Sequence, residues 1–306
     1  MGMKYVVVVF FVFLFGVDNM LFCQSKEWVE YLNLQKKADS LYLVENYHEA
    51  KVIFSDMLLL QNNKLIGYDL QRYVYCFINV GDTIGVEPYL FELVQKKWFD
   101  YKIINEPFFQ ILHSQSYWYK IDSVAKRNDN KNYEMVDSLA KMGELDQKVR
   151  RVREAIRKDT ILTQYEKDSV LRIPINSMFF VDSINVEKLK HLIALYGFPT
   201  WELVGKVGAK NAWLIAQHAR PEFQEWYLEQ YEQAVKEDNA DIRYYAYLID
   251  RVRSRKRIPQ LYGTQWYSNG GFHPIEDVEH LNDRRENVLL DPLDISQMTI
   301  LKEYKH

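Results

Sequence analysis

Ala38-Asp-Ser-Leu41-Tyr42-Leu-Val-Glu45-Asn46-Tyr47-His-Glu-Ala50-Lys-Val-Ile-Phe54 is the stretch on which the fold turns. Apolar residues recur there at three- and four-residue intervals on both sides of a break near Glu45-Asn46. That is the period of two amphipathic helices rather than of strands. Ala38 and Ala50 are small enough to let those helices approach closely. A weaker copy comes next: Asp69 to Val80, a Gly81-Asp82 break, then a helix opened by Pro88, since proline is tolerated at a first helical position. Residues 26–100 therefore read as helical hairpins. The 306-residue chain as a whole has a globular, helix-favouring composition: 48% hydrophobic, 26% charged, and only 12 Gly and 8 Pro to break elements. The expected fold class is mainly α, hairpins followed by an α-helical domain with one small β-hairpin.

Tyr47, Ala50 and Phe54 resemble the second helix of a tetratricopeptide repeat, and the second unit lies at close to one repeat period from the first. The resemblance implies a protein partner held through the N-terminal hairpins. Two units are fewer than a stable solenoid needs, so they are expected to dock on the second half of the chain.

The first 23 residues stand apart. Lys4 precedes 13 apolar residues, Tyr5 to Val17, closed by Asp18-Asn19. That is the length of a signal-peptide core and short of a bilayer span. The expectation is export to the periplasm or beyond, with cleavage near Cys23-Gln24 and no stable membrane span afterwards. Phe22 is too large for the residue preceding a lipidated cysteine. Cys76 would then stand alone, without an internal disulfide, in the apolar run Tyr73 to Asn79, and reads as a small buried hydrophobe. Net charge is −3 despite two basic runs, Lys148 to Lys158 with six cations and Arg251 to Arg257 with five. In a weakly acidic exported chain these read as solvated faces or small-anion sites, and no nucleic acid is expected.

Lys126-Arg-Asn-Asp-Asn-Lys-Asn132 is polar enough for a linker at 126–134, dividing hairpins at 24–125 from a domain at 135–306. A long amphipathic helix is expected from Glu134 to Asp159, with Met135, Leu139, Met142, Leu145, Val149 and Val152 on its stripe. Asn185 is expected to cap a further helix ending at Tyr196, which Gly197 stops. Beyond it come Phe198-Pro199-Thr200, Val207-Gly208, Ala212-Trp-Leu-Ile-Ala-Gln217-His218-Ala219, Ala246-Tyr-Leu-Ile-Asp250-Arg251-Val252, Gln260-x-Tyr262-Gly263-Thr264-Gln265 and Asn282-Asp283-Arg284-Arg285. Blocks in this order resemble a widespread bacterial family catalogued as domain of unknown function 6624, over roughly residues 140–295. Asp146-Gln147-x-x-Arg150 is similar to that family's opening element. Arg220 departs from the pattern, where an acid is expected after Ala219. The resemblance implies no established activity.

The signatures of the common zincins, P-loop NTPases and serine hydrolases are missing from the sequence. Gly205-Lys-Val-Gly208-Ala-Lys has the wrong glycine spacing and lacks the closing Lys-Ser/Thr. No metal and no cofactor is expected. Gln217-His218 end an apolar-patterned helix just before Pro221 opens another. A histidine there can serve as general base or sit satisfied in the core. Asp250-Arg251 come after the helical Tyr244-Tyr-Ala-Tyr-Leu-Ile249 and point about 100° apart. Asp250 is read as the orienter of His218 or as half of a structural pair, and Arg251 as a planar fork for carboxylate or phosphate. Gln260 to Gln265, with Tyr262 and a bulge at Gly263, reads as a polar pocket wall beside a Ser268-Asn-Gly-Gly271 turn. His273, Glu276, Asp277, Glu279 and His280 read as a capped surface helix on which Glu276 and His280 share a face, rather than as a metal site.

Two functions are expected on these residues. The first is an exported binding module recognising a protein partner or a small anionic ligand. The second is a hydrolase or transferase with catalytic His218 and Asp250, and with Gln217, Arg251, Tyr262, Gln265, Arg284 and Arg285 binding the ligand. N-terminal sequencing of the exported chain should begin near Gln24. An intact Met1, or a lipid on Cys23, would overturn the cleavage.

Overall fold

The computed structural model describes residues 26–60, 65–66, 68–267, 270–301 and 304. The expected signal peptide and its cleavage point lie outside the described residues, as do Ser268 and Asn269 of the expected turn. Helices α1 (Lys26–Leu43) and α2 (Tyr47–Leu60) form the first hairpin, and Glu45 takes the left-handed backbone (φ 61°) that reverses the chain. Ala38 and Ala50 are fully buried in it. Helices α3 (Asp69–Asn79) and α4 (Glu87–Leu93) come next, with Pro88 in the first turn of α4. The buried carboxylate of Asp69 ties α3 to α1 by accepting from the Tyr31 hydroxyl and from Gln35, each at 2.7 Å. Two 3-10 turns, Tyr101–Asn105 and Pro107–Leu112, and helix α5 (Trp118–Arg127) close a core around Phe54, Met57, Leu90, Ile104 and Phe109. Each such side chain stabilises the fold by about 1.5–3 kcal/mol on burial. Cys76 belongs to this core, and burial pushes its thiol up to about 12.

A second core is built by α6 (Tyr133–Lys158), α7 (Gln164–Tyr196), α8 (Trp201–His218), α9 (Pro221–Lys236) and α10 (Ile242–Arg255). Helix α8 presents Gly208, Ala209, Ala212 and Ala216, all buried, so that α6 can lie close against it. The approach is tight enough that a methyl on Gly143 of α6 would stand 2.6 Å from the Asn211 side chain. Between the cores, Asn132 caps α6 by accepting from Met135 N at 2.9 Å, while its own N–H donates to Leu203 O at 2.8 Å. The polar 126–132 stretch is thus part helix, since α5 runs to Arg127, and part connection fastened to α8.

Four details differ from the sequence reading. Asn185 caps nothing: α7 begins 21 residues earlier at the Thr163–Glu166 capping box, and Asn185 lies buried mid-helix, donating to Met142 O at 3.2 Å. The apolar stripe of α6 leaves the core near its midpoint, so Leu145 and Val152 are exposed. Glu276 does not share a helical face with His280. It precedes a single 3-10 turn (Val278–His280) and pairs with Arg253, while helix α11 (Leu281–Asn287) starts only after His280. The β-hairpin is reduced to isolated bridges, Trp266 with Phe272 antiparallel and Phe272 with Ile300 parallel. No helix among the described residues is long and apolar enough to cross a membrane.

Lys206 of α8 is inserted between the two cores. Its ammonium lies 3.6 Å from the Trp98 ring centre, 4.1 Å from Tyr68 and 5.5 Å from Trp201, and its buried Nζ has no hydrogen-bond partner. Burial pushes this amine down to about 7, with Asp241 pulling the other way, and the ring faces return part of the lost hydration. A depressed lysine costs stability in full where it is protonated in both states, below about pH 7. The cost fades as pH rises towards the ordinary value of about 10.4. Lys206→Met should therefore gain most in urea midpoint at or below pH about 7, and the gap should close towards pH about 10.

Candidate functional site

Close packing of α6 on α8 brings Asp146, one turn beyond Gly143, against the C-terminal residue of α8. His218 Nδ1 lies 2.9 Å from Asp146 Oδ1. The same carboxylate accepts from Gln147 Nε2 and Arg150 Nη1, each at 2.7 Å. Arg150 continues to α7, where Nη2 meets Asp182 Oδ1 at 2.8 Å and Oδ2 at 3.1 Å. Asp146 is thus a buried anion whose cost is offset by one guanidinium and two further donors. An ionised carboxylate only accepts, so opposite a charged Asp146 it is Nδ1 of the imidazole that donates. The other ring nitrogen, Nε2, has no partner among the described residues. About a quarter of the His218 side chain is exposed.

Asp146, Asp182 and His218 offer donor atoms within 4.8 Å of one another, the chemistry of a divalent-metal set. Arg150 already stands between the two carboxylates as their cation, so these residues fit an ion pair better than an ion.

Helix α10 supplies the other wall. Arg251 Nη1 reaches Gln217 O at 3.3 Å, and Arg255 Nη1 reaches Ala219 O at 3.1 Å. Neither guanidinium is in an ion pair among the described residues. Burial pushes Arg251 down to about 10, reinforced by the Arg255 and Arg150 charges; Arg255 is lowered as well, again chiefly by burial. Arg251 Nε and Gln217 Nε2 are both buried without a hydrogen-bond partner. Unspent donors of this kind cost about 1–3 kcal/mol each, so a fold retains them where something else satisfies them.

The remaining residues read from the sequence form a different cluster on the far side of α10. Asp250 does not orient His218. Its buried carboxylate accepts from Leu261 N (2.7 Å), Tyr262 N (3.1 Å), Thr264 N (3.0 Å) and Thr264 Oγ1 (3.0 Å). Burial raises its pKa, and the backbone donors act against that. Gln260 fixes the same loop by donating to Gln265 O at 2.8 Å and His273 O at 3.0 Å. Gln265 turns back on Thr264, and Tyr262 packs beside the small Ala246–Val288–Leu290 core. Arg284 donates to Leu261 O and Asp277 O, each at 2.8 Å, and Arg285 to Asp291 O and Tyr262 O.

Of the residues named from sequence, Gln217, His218 and Arg251 come together, while Asp250, Tyr262, Gln265, Arg284 and Arg285 assemble elsewhere. Asp182 and Arg255 were missed, and the sequence reads Asp146 and Arg150 only as part of the block similar to the family's opening element, not as site residues. Asp182 sits in an apolar-rich stretch of α7 with no motif around it, whereas Arg255 was legible as one turn beyond Arg251. Asp250→Ala should cost about 3 kcal/mol or more in chemical unfolding, because it strands three loop N–H groups around a buried site.

No curated protein and no solved structure matches the chain. The family of unknown function DUF6624 matches residues 135–304, which contain the His218–Asp146 pair, the unpaired arginines and the Asp250 loop. With more than half its length inside that match, the chain belongs to DUF6624.

Proposed function

We propose that the chain binds a small anionic ligand, bearing a carboxylate or phosphate group, at the corner where α8 ends against α10. The observation that carries this reading is the buried, unpaired Nε of Arg251 beside the equally unpaired Nε2 of Gln217. Arg255 and Arg150 add charge of the same sign, and Arg251 is in no ion pair among the described residues, while the Glu222 carboxylate acts on Arg255 from a distance. A carboxylate or phosphate can accept from a guanidinium edge in two bonds, which a lone water or chloride cannot reproduce. Where a binding module is expected to present the helical hairpins to a protein partner, this corner is the separate place for a small molecule.

His218 favours a second reading, a hydrolase or transferase. Asp146 holds its ring by Nδ1 and leaves Nε2 free to take a proton, the arrangement of a histidine general base. In that reading Asp146 fills the orienting role read from sequence for Asp250.

Inorganic phosphate and malonate serve as probes in thermal melts. Phosphate near 100 times its dissociation constant should raise Tm by roughly 5 °C, and Arg251→Gln should abolish the rise while Arg251→Lys restores only part of it. An unchanged rise in Arg251→Gln would remove the site from this corner. His218→Ala should alter stability by only about 1 kcal/mol, because Arg150 and Gln147 still satisfy Asp146. Loss of turnover with retained phosphate binding in that variant would select the enzyme over the binding module.

A further inference from the structure

Beyond the Arg150–Asp182 clasp, the ends of α6 and α7 leave the body of the protein as a two-helix arm. Between Arg151 and Phe180 only Pro174 is buried. Its cations are in excess: eight Lys and Arg stand against four Asp and Glu from Lys148 to Arg172, in a chain of net charge −3. The four carboxylates are, moreover, engaged locally. Glu154 pairs with Lys158 at 3.4 Å, and Asp159 accepts from Ile161 N and Leu162 N at 2.7 and 2.9 Å. Glu166 closes the capping box with Thr163, and Asp168 accepts from Gln164 at 2.8 Å. Arg153, Arg157 and Lys167 are therefore left in no ion pair among the described residues, and with Gln164, Asp168, Leu171 and Ile175 they line a cleft of about 410 Å³.

The arm ends in apolar side chains. Ile161 and Tyr165 at the tip are 89% and 85% exposed. At the tip the exposed carboxylate of Asp159 satisfies the N–H groups of Ile161 and Leu162. An apolar tip with paired backbone donors, next to unpaired cations, matches the layering of a bilayer: hydrocarbon boundary first, phosphates behind it. An acidic protein or a nucleic acid would satisfy the cations and leave the tip in water.

We infer that the arm docks on an anionic lipid surface, with Ile161, Leu162 and Tyr165 entering the interfacial layer while Arg153, Arg157 and Lys167 hold headgroup phosphate. This site is independent of the α8–α10 corner. It also uses a basic run that the sequence alone read as a solvated face or a small-anion site.

Vesicle co-sedimentation of the chain from Gln24, which contains both cores, tests it. Wild type should pellet with mixed phosphatidylcholine–phosphatidylglycerol vesicles and stay in solution with phosphatidylcholine alone. Removing three charges in Arg153→Gln/Arg157→Gln/Lys167→Gln should weaken binding on the order of 100-fold, roughly fivefold per charge. Ile161→Ser/Tyr165→Ser, with charge unchanged, should weaken it at least about tenfold. All five positions are outside both cores, and matching circular dichroism melts check that folding is retained. The inference is overturned if wild type fails to pellet, or binds neutral vesicles equally well. It is equally overturned if the tip variant binds like wild type, which would mark plain attraction to any polyanion. Displacement from the vesicles by inorganic phosphate, far below the chloride needed at equal ionic strength, would assign the cleft to a soluble phosphate instead.

Discussion

Close approach of α6 to α8 is the constraint on which the second half of the molecule depends. Gly143 meets Asn211 without room for a methyl, and the Gly208–Ala209–Ala212–Ala216 row keeps α8 narrow along the contact. Small residues contribute little apolar area themselves. Their effect is to let Leu139 and Met142 reach the shared core and to bring Asp146 within hydrogen-bond distance of His218. A carboxylate so deeply buried is tolerated because Arg150, Gln147 and His218 surround it, and Arg150 carries the same charge balance across to α7. Packing and electrostatics therefore converge at one helix crossing, which makes the His218 corner both a structural joint and a chemically prepared place.

Helix α10 separates two jobs by geometry alone. Adjacent side chains on a helix diverge by about 100°, so Asp250 and Arg251 cannot serve one site. Asp250 faces the loop 261–264 and organises it as a buried acceptor, a role that asks for full satisfaction and no solvent. Arg251 faces the end of α8 with a donor left over. The contrast is one of satisfaction: the carboxylate is saturated with partners, whereas the guanidinium is desolvated with one donor unmatched.

The join between the cores obeys the same logic in a milder form. Lys206 brings an ammonium among Trp98, Tyr68 and Trp201 and finds ring faces in place of carboxylates. Trp201 packs against both cores, so the hairpins and the second domain share an aromatic seam with one cation in it. Such a seam is weaker than continuous aliphatic packing, since the lysine's lost hydration is only partly returned.

The sequence by itself determined the elements: helical hairpins with a turn at Glu45-Asn46, Pro88 and Pro221 in first turns, Gly197 stopping α7, and Cys76 as a core residue. These arise from interactions within a few residues of each other, which periodicity and capping chemistry express directly. It also brought Gln217, His218 and Arg251 forward, because polar residues ending apolar helices are visible as breaks in a pattern. Only the tertiary structure decided their partners. Asp146 rather than Asp250 holds His218, Asp182 enters from a helix with no motif around it, and Asn185, which reads as a cap, is a mid-helix donor to Met142. The physical reason is range. A cap or an apolar stripe is written within one or two turns, whereas a carboxylate's partner depends on which helices cross, how closely, and at what rotation, and that is settled by the small residues at the crossing.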